Sequence, residues 1–351
     1  RNRPCHLNYL YKISFINNIM QNIPYDKIVE ISTTSFRHFN LANCKWLLNR
    51  YCNYSCSYCW PHAHTNKKDF LNEDVYLLAI DNIVNQFEKS GFNNINWGWA
   101  GGEVTFNPSF LNILNEIQSY KVEKKKMFTN LVTNLSHKEK WWQRFIDSTK
   151  DFYSVKINAS WHEEYLNTQM KREDFRNKLV FLKSNNIKVE VNVVLLPNKL
   201  SEIKKLQDWF LEKDIHMTVK VCKVGNEIMP GYSKEEMQFL KTQTKHRKFV
   251  LLRDENNNIY ELSNFEQLMS QNLRSYLNWN CTAGHQAITI HEDGRVTRGQ
   301  VCNQELLGNI KTGFKLFNKI KKCETKRNCS CSADLKMPKW KDNANNMLKV
   351  G

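Results

Sequence analysis

The sequence predicts an α/β protein: a partial, TIM-like (β/α)6 barrel that carries a small cysteine-rich C-terminal extension. Three observations lead there. Between residues 43 and 222, short β-branched or apolar runs alternate with longer helical patterns, the order expected of parallel strands joined by helical crossovers. Within several of these runs polar and apolar residues alternate with strand period. The cysteines fall into two groups, one following the first predicted strand and one in the last fifth of the chain.

Taken in order, residues 1–42 read as an N-terminal extension of mixed polarity without an assignable element. The barrel spans 43–222, with strands expected at 43–50, 95–100, 126–133, 152–160, 187–196 and 216–222. Between them, 73–89 reads as an amphipathic helix, because Ile80, Ile83, Val84 and Phe87 share one face and Asn72 stands where a cap belongs. The stretch 200–213 repeats the pattern with Ile203, Leu206 and Phe210. Six such units suggest a partial version of the eightfold barrel.

Strand parity defines the interior. Val155, Ile157 and Ala159 oppose Lys156, Asn158 and Ser160. Val189, Val191 and Val193 oppose Glu190 and Asn192, and Met217, Val219 and Val221 oppose Thr218, Lys220 and Cys222. With the apolar faces against the outer helices, the polar faces line a lumen able to hold substrate. Lys156, Glu190, Lys220 and Cys222 are the candidates for catalytic proton transfer or substrate contact. Residues 223–280 read as a polar, helical bridging segment, with Gly225, Pro230 and Gly231 near its start. From 281 to 332 short strands, turns and cysteines follow, and His291-Glu292-Asp293-Gly294 reads as a hairpin turn between Ile288–Ile290 and Val296. The tail, 333–351, lacks apolar periodicity and is expected to be peripheral.

Composition narrows the function classes. Hydrophobic residues make up 41% of the 351 and charged residues 25%, enough for an ordinary core. No apolar run approaches the roughly 18 residues of a membrane span, and no secretory signal is visible after Arg1-Asn2-Arg3-Pro4; a cytoplasmic protein without membrane association is expected. Lys and Arg number 51 against 35 Asp and Glu, a net +16, which favours anionic partners and leaves nucleic acid among them. Scattered lysines also form plain solvated surface.

The eleven cysteines do not suggest disulfides in a reducing compartment. Cys5, Cys44 and Cys222 are isolated, whereas Cys52, Cys56 and Cys59 fall within eight residues, and Cys281, Cys302, Cys323, Cys329 and Cys331 crowd the end. Two separated groups suggest two metal sites. In Cys52-Asn53-Tyr54-Ser55-Cys56-Ser57-Tyr58-Cys59, three thiolates can hold three irons of a cubane and leave the fourth open. A zinc site would offer four ligands in two pairs, and no second pair is near.

This spacing, with an aromatic before the last cysteine, resembles the signature of the radical S-adenosylmethionine (radical SAM) superfamily, whose fold is a partial (β/α)6 barrel. The resemblance covers about residues 43–222. It implies a [4Fe–4S] cluster on Cys52, Cys56 and Cys59 whose open iron binds S-adenosylmethionine. It also implies reductive cleavage to a 5′-deoxyadenosyl radical that takes a hydrogen atom from substrate, with electrons from a flavodoxin- or ferredoxin-type donor. Ala100-Gly101-Gly102-Glu103 resembles the family's Gly-Gly-Glu loop, with Glu103 implied to pair with the ammonium of the methionine part; Val104 stands where many relatives have proline. Thr133-Asn134-Leu135 resembles the family's Thr-Asn-Gly element with leucine in place of glycine. Ser160 and Asn192 match positions implied to hold the ribose and methionyl groups, and Tyr58 matches the aromatic beside the adenine.

The C-terminal cysteines resemble the SPASM extension or its shorter twitch form, which carries auxiliary clusters. Five cysteines against the full extension's seven imply one auxiliary [4Fe–4S] cluster, on Cys281, Cys302, Cys329 and Cys331 with Cys323 in reserve; a four-cysteine zinc site is the alternative. The expected substrate is a ribosomally made peptide that receives a crosslink, thioether or related modification. A small anionic metabolite such as a sugar or aminocyclitol is the second reading and nucleic acid the third.

Overall fold

The computed structural model describes residues 23–34, 39–59, 64–120, 125–224, 227–242, 250–262, 268, 273, 275–300, 302, 305–326, 328–329 and 332–342. A first strand, β1 (Ile28–Thr33), precedes the barrel. The barrel strands follow as β2 (Leu41–Asn49), β3 (Asn94–Gly101), β4 (Lys126–Thr133), β5 (Ser154–Trp161), β6 (Lys188–Leu195) and β7 (His216–Val221). All six expected strands are present, with ends within two residues of the sequence reading. Each is parallel to the next, in the order β2-β3-β4-β5-β6-β7, and no pairing joins β7 back to β2 among the described residues. The barrel is therefore partial.

The crossover helices are α1 (Glu73–Lys89), α2 (Phe110–Ser119), α3 (Glu139–Asp147), α4 (Gln169–Ser184) and α5 (Leu200–Glu212). In α1 the buried residues include Ile80, Ile83, Val84 and Phe87, as the periodicity required. Asn72 occupies the cap position through its backbone, its carbonyl accepting from Val75 N at 3.1 Å, while its side chain makes no cap bond. Against this helix layer the outward faces of β2 and β3 stack three tryptophans, with ring centroids 5.7 Å apart for Trp46–Trp99 and 6.1 Å for Trp97–Trp99. In β5, Val155, Ile157, Ala159 and Trp161 are buried and the residues between them only partly so, the alternation of a strand with helices outside and a polar lumen inside.

Beyond β7 come a small hairpin, β8 (Lys223–Val224) with β9 (Glu227–Ile228), and helix α6 (Lys234–Thr242). The stretch 223–280, expected to be helical, also contains β10 (Val250–Asp254) and β11 (Ile259–Leu262), which form an antiparallel hairpin. The C-terminal extension and tail then run β12 (Asn280–Cys281), β13 (Ala287–Ile290), β14 (Arg295–Thr297), β15 (Leu306–Asn309), β16 (Gly313–Phe314), β17 (Lys321–Lys322), helix α7 (Ser332–Leu335) and β18 (Lys339–Trp340).

Two pairings join the ends of the chain. Strand β13 lies parallel to β2, with Ala287 opposite Asn43 and Ile290 opposite Trp46, so the C-terminal hairpin extends the barrel sheet to ten strands. A second sheet, in the order β11-β10-β1-β18-β12-β17, gathers the N-terminal strand, the 250–262 hairpin and the tail. All six residues of β1 are buried, and Glu30 there pairs with Arg253 Nη2 at 2.6 Å. The described part of the tail, up to residue 342, is not peripheral: Leu335, Met337, Lys339 and Trp340 are buried. Its two-residue strand is too short to show a period, and its partners β1 and β12 lie far away in sequence.

Candidate active site

The cysteine loop, Gly101–Glu103, Thr133, Asn134 and Ser160 gather at the C-terminal ends of the parallel strands, the rim where β/α barrels carry their chemistry, whereas Lys156 and Glu190 lie near the N-terminal ends of β5 and β6. The cysteine loop leaves β2 at Asn49. Its entry is pinned by Thr65 N to Arg50 O at 2.7 Å and Cys52 N to Thr65 O at 3.2 Å, and its end by Cys59 N to Cys56 O at 3.0 Å. Burial pushes the Cys52 thiol up to about 11, helped by the nearby Glu103 and Cys59 charges and opposed by the Tyr54 amide. Burial likewise pushes Cys56 up to about 12, with Cys59, Glu164 and Cys52 adding to the effect. Three thiolates here destabilise one another, and bound cationic iron relieves that repulsion. Among the described residues no three His, Cys, Asp or Glu side chains are set around a single ion; a cubane places each thiolate on its own iron.

A loop not identified from sequence holds this one from the other side. After β5, His162 Nδ1 lies 3.0 Å from Tyr58 Oη and 3.3 Å from Cys56 Sγ. Ser57 N donates to Glu164 Oε2 at 2.9 Å, Ser55 N donates to Tyr165 Oη, and the Tyr54 and Tyr165 rings stack at 3.9 Å. Burial lowers His162 to about 4, so its ring is neutral. Its position directly after a barrel strand was the available signal.

The two glycines of Ala100-Gly101-Gly102-Glu103 have a structural reason. Gly102 N donates to Asn49 O at 2.8 Å and Glu103 N to Tyr51 O at 2.7 Å. A Cβ on Gly102 would meet the Arg50 carbonyl oxygen at 2.5 Å and the Tyr51 carbonyl carbon at 2.6 Å, and Gly101 has φ +132°. What approaches the glycines is the chain leading into Cys52. The buried Glu103 carboxylate accepts from Thr105 Oγ1 at 2.7 Å, Thr133 Oγ1 at 2.8 Å and Asn134 N at 2.6 Å. Burial raises its pKa, these bonds hold it down, and no cation pairs with it among the described residues. Asn134 Nδ2 reaches Asn53 Oδ1 in the cysteine loop at 2.9 Å. Leu135, where relatives carry glycine, adopts φ +54° and gives its carbonyl to the buried Lys178 Nζ at 2.8 Å.

Ser160 and Asn192 face one another in register across β5 and β6. Lys156 Nζ pairs with Glu190 Oε1 at 2.7 Å. Lys220 is exposed on β7, and the amide of the buried Cys222 donates to Tyr232 Oη at 2.9 Å. Across β2 and β3, Asn96 Nδ2 donates to Asn43 Oδ1 at 2.6 Å, and Asn158 donates to Asn130 across β4 and β5. Lys45 of β2 donates to Gln300, whose amide donates to Asp334 Oδ1 at 2.9 Å. That contact ties the lumen to the C-terminal extension.

In the extension, Cys281, Cys302, Cys323 and Cys329 line one pocket with Tyr276, Asp334 and Lys339. Cys323 comes into this group, held by its amide to Trp279 O at 2.8 Å and its carbonyl from Asn278 N at 2.7 Å; Cys331 lies outside the described residues. Burial raises the Cys302 and Cys323 thiols, and the Cys281 charge raises both further. Four soft thiols lining one pocket are the donor type of an iron–sulfur cluster, and no three of these described residues are set around a single ion as zinc requires.

A parallel six-strand partial barrel with three cysteines on the loop after its first strand defines a radical SAM enzyme. Residues 46–210 match the Radical SAM superfamily, so the barrel is a radical SAM domain. Among curated proteins none matches this chain by sequence. Solved structures share the fold. One, described as native anSMEcpe with bound AdoMet and Kp18Cys peptide, has TM-score 0.51 and 17% identity, covering 78% of each chain. Native anSMEcpe with bound AdoMet gives TM-score 0.51 and 16% identity over 78% of this chain and 79% of that one. SuiB of Streptococcus suis bound to S-adenosylmethionine gives TM-score 0.50 and 14% identity over 79% of this chain and 66% of that one. Radical SAM enzymes use a [4Fe–4S] cluster and S-adenosylmethionine, and among the described residues no helix is long and apolar enough to cross a membrane.

Proposed function

We propose that this enzyme modifies a ribosomally made peptide, installing a crosslink, thioether or related bond after hydrogen abstraction. The observation that carries the substrate class is the lumen lining. Asn43, Asn96, Asn130, Asn158 and Asn192 come from five successive strands, and each carboxamide offers a donor and an acceptor, the complement of a peptide group. A relative in fold was solved with a bound peptide. The lumen lysines Lys45, Lys156 and Lys220 favour a second reading, a small anionic metabolite.

In this reading Cys52, Cys56 and Cys59 hold the cluster and Tyr58 borders the adenine by its backbone. When bound and reduced, the cluster supplies the electron that cleaves S-adenosylmethionine to methionine and the 5′-deoxyadenosyl radical. Glu103, buried without a cation, receives the methionyl ammonium while Thr133 and the Asn134 amide keep it oriented. Gly101 and Gly102 keep the cysteine loop close to it. Ser160 and Asn192 bind the ribose and methionyl groups. The Lys156–Glu190 pair, Lys220 and Cys222 contact substrate or relay its proton. Cys281, Cys302, Cys323 and Cys329 hold one auxiliary [4Fe–4S] cluster, a flavodoxin- or ferredoxin-type protein delivers electrons, and the enzyme works in the cytoplasm.

The test is anaerobic reconstitution followed by reduction with S-adenosylmethionine present. Wild type should release 5′-deoxyadenosine, and the variant with Cys52, Cys56 and Cys59 all changed to Ala should release none. A peptide substrate should then lose two hydrogen atoms by mass, with 5′-deoxyadenosine formed in proportion. Turnover of an aminocyclitol or sugar but of no peptide would replace the substrate assignment.

A further inference from the structure

Lys339 sits on β18 with 2% of its surface exposed and lines the four-cysteine pocket. Its Nζ donates to the carbonyls of Asp334, Leu335 and Met337 at 2.9, 3.2 and 2.8 Å, which uses all three of its donors. The ammonium also lies 4.8 Å from the Tyr276 ring centroid, within cation–π range. No carboxylate pairs with it among the described residues. Burying an ammonium on neutral dipoles alone is costly, so the fold places a positive charge without an ion-pair partner among the described residues beside four thiols. Asp334 lines the same pocket with opposite sign and accepts from the Gln300 backbone amide at 2.9 Å, a charge common to all the variants compared below. Arg298, also buried, spends its guanidinium on the Ala283, Lys321 and Lys322 carbonyls and lies 3.4 Å from Glu305.

Resting on the reading of this pocket as an iron–sulfur site, we propose that Lys339 is a positioning residue of the auxiliary centre, its fixed charge setting the centre's reduction potential. Reduction adds negative charge to a group already surrounded by thiolates. A fixed cation in the same desolvated pocket stabilises the reduced form, and little solvent is present to screen it. Lys339 is absent from the cysteine pattern that marks the extension, and the tail that carries it has no periodicity to announce it. Only the pairing of β18 between β1 and β12 brings it to the cysteines.

The experiment uses the full chain with Cys52, Cys56 and Cys59 changed to Ala, so that any remaining cluster is the auxiliary one. About four irons should remain; zinc or no metal at this stage sinks the iron–sulfur reading itself, before any change at Lys339. In that background Lys339→Gln, which keeps two donors and drops the charge, should shift the reduction equilibrium constant at least tenfold toward the oxidised form. That is about 59 mV more negative for one electron, read by titration followed by electron paramagnetic resonance. Lys339→Arg, which keeps the charge, should stay near the parent potential. Equal potentials in the Gln and parent proteins overturn the proposal. So does loss of iron from both variants, which makes the lysine a structural post.

Discussion

Gly102→Ala tests whether the glycine loop exists to admit the chain that feeds the cysteine loop. The added methyl would stand 2.5 Å from Arg50 O and 2.6 Å from Tyr51 C, and both are backbone, so no rotamer change relieves the overlap. Overpacking of this kind costs about 1–3 kcal/mol. Moving residues 49–51 away also strains the bonds Gly102 N to Asn49 O and Glu103 N to Tyr51 O, each worth about 1 kcal/mol. A loss of about 2–4 kcal/mol is expected in urea unfolding of the iron-free chain. Iron bound after reconstitution should fall by about half, because the displaced segment carries Cys52 while the second cysteine group is untouched. Gly98→Ala is the control: on the same strand its nearest neighbours would be Cys44 O and Lys45 Cα, both at 3.9 Å, and it should change stability by less than about 1 kcal/mol. Wild-type stability and full iron in Gly102→Ala would refute the argument.

Three further outcomes are expected. Leu135 is buried in the left-handed region at φ +54°, a conformation costing a non-glycine residue about 1–2 kcal/mol. Leu135→Gly should therefore destabilise less than Leu135→Ala by about 1 kcal/mol, reversing the usual order, and equal losses in urea unfolding would count against it. Cys323→Ala should remove about four of eight irons, while Cys44→Ala, buried in the apolar core, should remove none; iron analysis of the two decides the point. His137 is stacked between Phe106 and Trp141 and bonds Thr105 O at 3.0 Å, and burial lowers its pKa below 6.5. The unfolded chain then binds the proton more readily, so stability falls as pH drops below about 6.5 and is unaffected above it. His137→Gln should make that decline shallower in iron-free protein, and parallel curves would contradict the assignment.

The barrel was legible because its signals are local. Strand parity in β5, β6 and β7 and the helical stripe of Ile80, Ile83, Val84 and Phe87 each span a few consecutive residues, and the cysteine spacing fits within eight. The second sheet was not legible, because its strands are short or buried on both faces and their partners are distant. Thus Ile28–Thr33 lies fully buried between Val250–Asp254 and the tail strand. The residues that hold the cysteine loop, His162, Glu164 and Tyr165, follow β5 as an ordinary polar turn. Their meaning depends on the 104 to 110 residues of chain that separate them from Tyr58 and Ser55.

The sequence by itself determined the class of chemistry: a thiol triplet at the end of the first of six β/α units, with a glycine loop and a polar lumen following in order. Tertiary structure alone placed Cys323 with Cys281, Cys302 and Cys329 around one pocket and set Lys339 beside them. Ligand spacing within a loop is fixed by covalent geometry and can be read along the chain. Which distant strands pair is fixed by the burial they achieve together, and no single strand of this second sheet records that.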